Sequence, residues 1–300
     1  MRPGEYIDGK YEIVRVLGKG GMGRVYEANH VGLGRLVAIK VLDPKFIQND
    51  HVVARFVREA RAASRIGSQH IVEIIDMGQT IDNVPYIIME HLDGRDLSRV
   101  LQEEGPLQPN RAILLMLQLC RALGAAHAEN IVHRDLKPAN LMIVQKPDGS
   151  EHLKILDFGV AKIMDPILVS QGRLTSTGSS LGTPRYMAPE QFTSAKGVDL
   201  RADIYSVGAL LYETLCGEPP FMATKYGQLV MMVTQEEATP LHERCEEVSR
   251  ELSGVVATAM SKDPEKRFPH TRAFASALSR CLTAKVSEGS VAERSSVPPR

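Results

Sequence analysis

Hydrophobic and polar residues alternate loosely over 11–17 and again over 24–28, the two-residue period of strands. Residues 36–42 are apolar except for Lys40, and 71–75 and 86–92 read as further strands. Between them, 50–66 has the helical period, with Phe56, Ala60, Ala63 and Ile66 on one side and Asn49 or Asp50 as N-cap. From Gly94 onward the period is helical. Asp96 begins a short helix that Gly105-Pro106 ends, and Gln108-Pro109-Asn110 opens a long one to about Glu129. Its apolar stripe is Ile113, Met116, Leu117, Cys120 and Leu123. Two short strands, 141–144 and 153–156, turn at Pro147-Asp148-Gly149. The helix that follows Asp199 is apolar almost all round as far as Cys216, which places it at the centre of a lobe, and Gly217-Glu218-Pro219-Pro220 stops it. Further helices are expected near 225–234, 250–260 and 271–283. The pattern predicts an α+β molecule without internal repeats, its strands early and its helices late.

Composition narrows what such a molecule can be. The chain has 300 residues, 43% of them hydrophobic, which allows a packed core and argues against disorder. With 36 Lys and Arg against 36 Asp and Glu, no net field draws it to nucleic acid or an anionic membrane. The longest apolar runs, at 113–120 and 207–211, are too short to span a bilayer, and Met1-Arg2-Pro3-Gly4-Glu5 lacks the apolar segment of a signal peptide. Cys120, Cys216, Cys245 and Cys281 are widely spaced, as expected of reduced thiols rather than a disulfide or zinc framework. The expected location is the cytoplasm, or the cytoplasmic portion of a longer membrane protein.

Candidate chemistry is concentrated in 133–159. His133-Arg134-Asp135-Leu136-Lys137-Pro138-Ala139-Asn140 is followed by an apolar hairpin and then by Asp157-Phe158-Gly159. Asp157 and Asn140 supply oxygen ligands of the kind a hard divalent cation takes when phosphates and water complete its shell. Asp135 is then free to take a proton, and Lys137 to meet a migrating negative charge. Either tripeptide alone reads as an ordinary turn with solvated acids. Both in this order, joined by one hairpin, do not. Upstream, Gly18-x-Gly20-x-x-Gly23 leads into a strand and not a helix, unlike a dinucleotide-binding turn. It reads as a glycine-rich hairpin able to lie over phosphates, or as a merely flexible turn. Lys40 is either an outward edge lysine or an inward one, which is costly unless paired. Glu59, beside the buried stripe of its helix, is the expected partner, and Glu73 competes. His91 reads as solvent-facing, and His127 and His133 as packed core histidines.

At these residues the chain resembles the protein kinase family, with HRDLKPAN as the catalytic loop and DFG as the metal-binding triplet, over roughly Tyr11 to Leu282. The resemblance implies the bilobal α+β kinase fold. Its parts are an N-terminal extension over 1–10, a small antiparallel-sheet lobe with one main helix over 11–91, a larger mostly helical lobe over 92–283, and a tail or linker over 284–300. It implies ATP and Mg²⁺ (or Mn²⁺) as cofactors, with the metal on Asn140 and Asp157. Asp135 becomes the catalytic base, acting with Lys137, Lys40 and Glu59, the last two forming an ion pair only in the active state. The nucleotide is placed against Leu17, Gly18, Gly20, Gly23, Val25, Ala38, Lys40, Met89, Glu90, Leu92 and Met142. Met89 is the gatekeeper, and the backbone of Glu90 and Leu92 meets the adenine edge. His133 packs under Phe158, Asp203 bonds the catalytic-loop backbone, and Arg267 pairs with Glu190.

Lys137 and Pro138 after the catalytic acid resemble serine/threonine kinases rather than tyrosine kinases, and the Gly-Gly-Met-Gly loop resembles the bacterial eukaryotic-like branch. Residues 160–187, rich in Ser, Thr and Gly, become the activation segment. Arg134, unpaired beside the base, is expected to hold phosphate on Thr175, Thr177 or both, with Thr183 kept for a contact with Asp135 and Lys137. The implied partners are ATP and proteins bearing Ser or Thr, with self-association for autophosphorylation in trans, and neither nucleic acid nor a membrane span. Two rivals stand beside this reading. One is a pseudokinase scaffold that binds ATP without turnover, against which Lys40, Asp135, Asn140 and Asp157 argue. The other is a pure interaction module.

Overall fold

A computed structural model describes residues 1–157, 183–193 and 197–282, apart from the Thr183 side chain. Phe158, Gly159, Thr175, Thr177 and the tail from 283 lie outside the described residues.

The smaller lobe is a six-stranded antiparallel sheet in the order β1-β2-β3-β4-β6-β5. Its strands are β1 (Tyr6–Ile7), β2 (Tyr11–Lys19), β3 (Gly23–His30), β4 (Arg35–Leu42), β5 (Ile74–Gln79) and β6 (Pro85–Glu90). Residues 1–10 are therefore not a separate extension: Ile7 is buried and pairs with Tyr11. The strand expected at 71–75 begins later, at Ile74, because the chain before it bonds to the other lobe through Ile71. Helix α1 (Asp50–Arg65) starts at Asn49, whose side chain accepts from Val52 N at 3.2 Å. Phe56, Ala60, Ala63 and Ile66 are all buried, so the apolar stripe is the face laid on the sheet. Phe56 is almost fully enclosed, and its truncation to Ala should cost about 3–5 kcal/mol.

The larger lobe is built around α5 (Arg201–Cys216), buried over nearly its whole length, which follows the one-turn α4 (Glu190–Thr193). Gly217, at φ 80°, ends it in the left-handed region that glycine tolerates. Helix α3 (Pro109–Ala128) packs against it, with Ile113, Met116, Cys120 and Leu123 inside and Leu115 and Leu119 buried with them. The short β7 (Gly94–Asp96) precedes α2 (Leu97–Glu104), where Asp96 is the N-cap, so the chain after Gly94 first adds a strand. It joins β8 (Leu141–Gln145) and β9 (Glu151–Ile155) in a second antiparallel sheet. The final described helix runs Thr271–Arg280, shorter than expected at its C-terminus. Among the described residues no helix is long and apolar enough to cross a membrane.

Candidate active site

The β8–β9 hairpin brings the two polar motifs together. Asn140 closes the turn before β8, and Asp157 lies two residues past β9. Leu156 N donates to Asn140 O at 2.9 Å, which fixes one loop against the other. The Asn140 Nδ2 donates to Asp135 O at 3.2 Å. With its donor so engaged, the amide is oriented by its nitrogen and offers Oδ1 to a ligand. The donor set, one amide and one carboxylate oxygen, suits a hard cation that keeps waters and phosphate oxygens in its shell.

Asp135 is nearly buried, and Lys137 Nζ stands 3.4 Å from its Oδ2. Lys137 also helps lower the pKa of Asp157, so one ammonium serves both acids. Asp135 N donates to His133 Nδ1 at 3.2 Å. A nitrogen that accepts carries no proton, and burial pushes the fully enclosed His133 below the ordinary histidine value, outweighing Asp203 and Asp135. His133 is a neutral support for the loop. The Phe158 ring expected above it lies outside the described residues.

Arg134 has φ 65°, an uncommon conformation for a side-chain-bearing residue. Both of its backbone groups are tied: its N donates to Asp203 Oδ1 at 2.9 Å and its O accepts from Gln191 Nε2 at 2.9 Å. Asp203, fully buried at the start of α5, also accepts from His133 N at 2.9 Å and His127 Nε2 at 2.8 Å. The core helix thus holds the catalytic loop by one carboxylate. Among the described residues, the guanidinium expected to be unpaired donates to Val198 O at 3.1 Å, a neutral acceptor.

In the upper half of the site Lys40 is held by an acid other than the one expected for the active state. Its Nζ pairs with Asp157 Oδ1 at 2.6 Å, not with Glu59, while Glu59 Oε1 accepts from Arg55 Nε at 3.1 Å, one helical turn away. Burial would lower the pKa of Lys40, but Asp157, assisted by Glu59, overrides it and raises it. Burial would likewise raise Asp157, and the Lys40 ammonium holds it below the usual carboxylate value. Glu59 goes the other way: burial lifts it despite Lys40 and Arg55. Lys40, Glu59 and Asp157 line one small cavity with Ala60, Met89 and Leu156.

Most of the expected nucleotide residues lie on the neighbouring strands β2, β3, β4 and β6, with Gly20 in the β2–β3 connection, Leu92 past β6 and Met142 on β8. Gly18 faces Val25, Val25 faces Lys40, and Ala38 faces Met89 across the sheet. Met89 and Ala38 are buried, and Leu17 is exposed. Glu90 N donates to Glu73 O at 3.0 Å. The Glu90 side chain bonds Lys154, the cross-strand neighbour of Met142. A Cβ at Gly18 would meet nothing within 4 Å, whereas one at Gly23 would fall 2.0 Å from Val41 O. Gly23 is thus required by the β3–β4 approach, whatever lies over the loop. His91 is not solvent-facing: its Nε2 sits 3.0 Å from Glu27 Oε2, which also takes Arg15 at 2.6 Å.

Beyond the loop, Arg267 grips Glu190 through two bonds of 2.7 and 2.8 Å. Gln191 was not singled out in the sequence. It accepts from Ala188 N at 2.9 Å while holding Arg134 O, tying the 183–193 stretch to the catalytic loop. No spacing rule marks it, since its partners are backbone groups.

Residues 11–278 match the protein kinase domain family. The chain belongs to the protein kinase family, among the bacterial eukaryotic-like serine/threonine kinases. It is 36% identical over 274 residues to the Myxococcus xanthus serine/threonine-protein kinase pkn3, covering 90% of this chain and 50% of that one. It is 37% identical over 271 residues to PknB of Mycobacterium tuberculosis, covering 89% and 42%. The kinase chain spans half or less of the length of these relatives. Among solved structures, the Mycobacterium tuberculosis PknI kinase domain superimposes with a TM-score of 0.72 at 27% identity, over 94% of this chain and all of that one.

Proposed function

We propose that this kinase domain transfers the γ-phosphoryl group of ATP to serine and threonine hydroxyls of proteins. The observation that carries the reading is the union of Asp135, Asn140 and Asp157 by the Asn140–Asp135 and Leu156–Asn140 bonds. Asp135 orients the incoming hydroxyl and accepts its proton. Lys137 and Lys40 stabilise charge on the phosphoryl oxygens, and Asn140 and Asp157 would hold the divalent ion. That ion, Mg²⁺ with Mn²⁺ as a substitute, neutralises charge on the phosphates when bound. Positioning and electrostatics supply most of the rate, because the chemistry needs no covalent help from the protein.

The strands from Leu17 to Ala38, with Met89, Glu90, Leu92 and Met142, enclose the adenine. Phosphate on Thr175 or Thr177 pairs with Arg134, and self-association allows its transfer in trans. The domain works in the cytoplasm, alone or attached to a membrane-bound remainder. The pseudokinase alternative finds no support among the kinase relatives. Purified protein with labelled ATP, Mg²⁺ and a generic basic protein tests the proposal: label on Ser and Thr is expected, and ATP binding without transfer would favour the scaffold.

A further inference from the structure

The loop between α1 and β5 is fastened to the strand that leads into Asp157. His70 O accepts from Ile155 N at 2.9 Å, Ile155 O accepts from Val72 N at 2.9 Å, and Ile71 bridges Ile155 in parallel. Two imidazoles complete this joint. His70 Nδ1 lies 3.0 Å from Leu153 O, and His152 Nε2 lies 3.0 Å from Gln69 O. Carbonyls only accept, so His70 carries its proton on Nδ1 and His152 on Nε2. The rings stack at 4.6 Å between centroids and 30° between planes, and both residues are buried. Among the described residues, the remaining nitrogen of His70, Nε2, is enclosed without a hydrogen-bond partner.

A proton on either ring would place a cation in a stack already bordered by positive charge. Burial depresses the His70 pKa, the Leu153 carbonyl opposes this, and His152, Arg121 of α3 and Lys146 of the β8–β9 turn add to the depression. The nearby acids are committed elsewhere: Glu151 to Arg111, and Glu90 to Lys154. We propose that the His70–His152 stack is a proton-sensitive clasp. Neutral, it positions the strand that leads into Asp157 against the smaller lobe; on proton uptake it parts the α1–β5 loop from β9. A histidine harder to protonate when folded contributes fully above the unfolded value of about 6.5, and its contribution is lost as pH falls from there through the lower folded value. Loss is therefore expected in mild acid, far above the range where Asp157 titrates.

The proposal rests on the kinase reading only where it predicts activity, so the deciding measurement needs no turnover. Hydrogen exchange at the Val72 and Ile155 amides, corrected for intrinsic rates, should be followed between pH 7.5 and 5.5 in the whole chain. Protection should fall by roughly tenfold per pH unit for each proton taken up. The variant His70→Asn/His152→Gln keeps both N–H donors and cannot take the proton, so its protection should stay flat over that range. The acid limb of kcat should move to lower pH with it. Parallel pH dependence in wild type and variant overturns the clasp. Should the variant fail to fold, NMR titration of the wild-type histidines decides: either ring titrating at or above the free value while Val72 and Ile155 stay protected also overturns it. Absence of any phosphotransfer would sink the kinase reading and leave the exchange result standing.

Discussion

Lys40 and Asp157 are in direct contact at 2.6 Å across 117 residues of sequence, while Glu59, beside the same cavity, is bonded to Arg55. The two acids compete for one ammonium. Were Asp157 to hold a divalent ion, as proposed, Lys40 would be left for Glu59 and the phosphates. Lys40→Ala and Glu59→Ala should each reduce transfer, and the double variant should be little worse than the worse single. Additive losses in kcat/KM would exclude the exchange. Because burial raises the Glu59 pKa, Glu59→Gln should leave thermal stability unchanged or higher while activity falls.

The same pair gives opposite pH signs at its two ends. Asp157 is depressed, so its contribution to stability is present above the unfolded value of about 3.9 and is lost as pH falls through the lower folded value. Lys40 is raised, so its contribution is present below about 10.4 and is lost as pH rises through its higher folded value. Urea midpoints of wild type and Lys40→Met should converge at both extremes and differ between them. A constant difference across the range would contradict the pairing.

Asp157→Asn should abolish measurable transfer while the fold survives, since a neutral amide replaces the carboxylate assigned to the metal. Asp135→Asn should slow transfer by roughly 10²–10⁴, the usual worth of a positioned base. If Asp135→Asn instead raised the KM for ATP with kcat intact, its assignment as base would fail.

Asp203→Ala should be among the most damaging substitutions outside the cleft. It strands the N–H groups of His133, Arg134 and His127, at roughly 1–3 kcal/mol for each buried donor left unmet. Chemical denaturation gives the loss directly. A variant with full stability and full activity would mean that the loop is held by other contacts.

Autophosphorylation is expected at Thr175, Thr177 or both. Phosphate adds about −1.5 to −2 charge and three acceptor oxygens, and the Arg134 guanidinium, whose described partner is only the Val198 carbonyl, is the charge to receive it. Activity should develop after a lag that phosphatase treatment restores. Mass spectrometry finding both threonines unmodified, or full activity in Thr175→Ala/Thr177→Ala, would remove this control.

Local patterns determined much of this protein. Turn chemistry and apolar period placed α1, α3, α5 and the β8–β9 hairpin, because caps, stripes and stops are written in neighbouring residues. Motif order carried Asp135, Asn140 and Asp157 to one hairpin, because two short strands leave little freedom in where their ends meet. The role of Asp203 was also legible, since an acid opening an all-apolar helix must find buried donors.

What tertiary structure decided is the choice among partners. Lys40 had two acids within reach, and only packing shows which one holds it. His91 looked solvent-facing by type, but Glu27, on a strand 64 residues away, encloses it. Ile71 and Val72 turn away from the smaller sheet because Ile155 offers backbone bonds from the other lobe. Gln191 and the His70–His152 stack bind through backbone carbonyls and amides, which every residue possesses and no side-chain pattern reveals. Sequence fixes periodicity over neighbours; long-range pairing depends on which groups burial brings into reach at the same time.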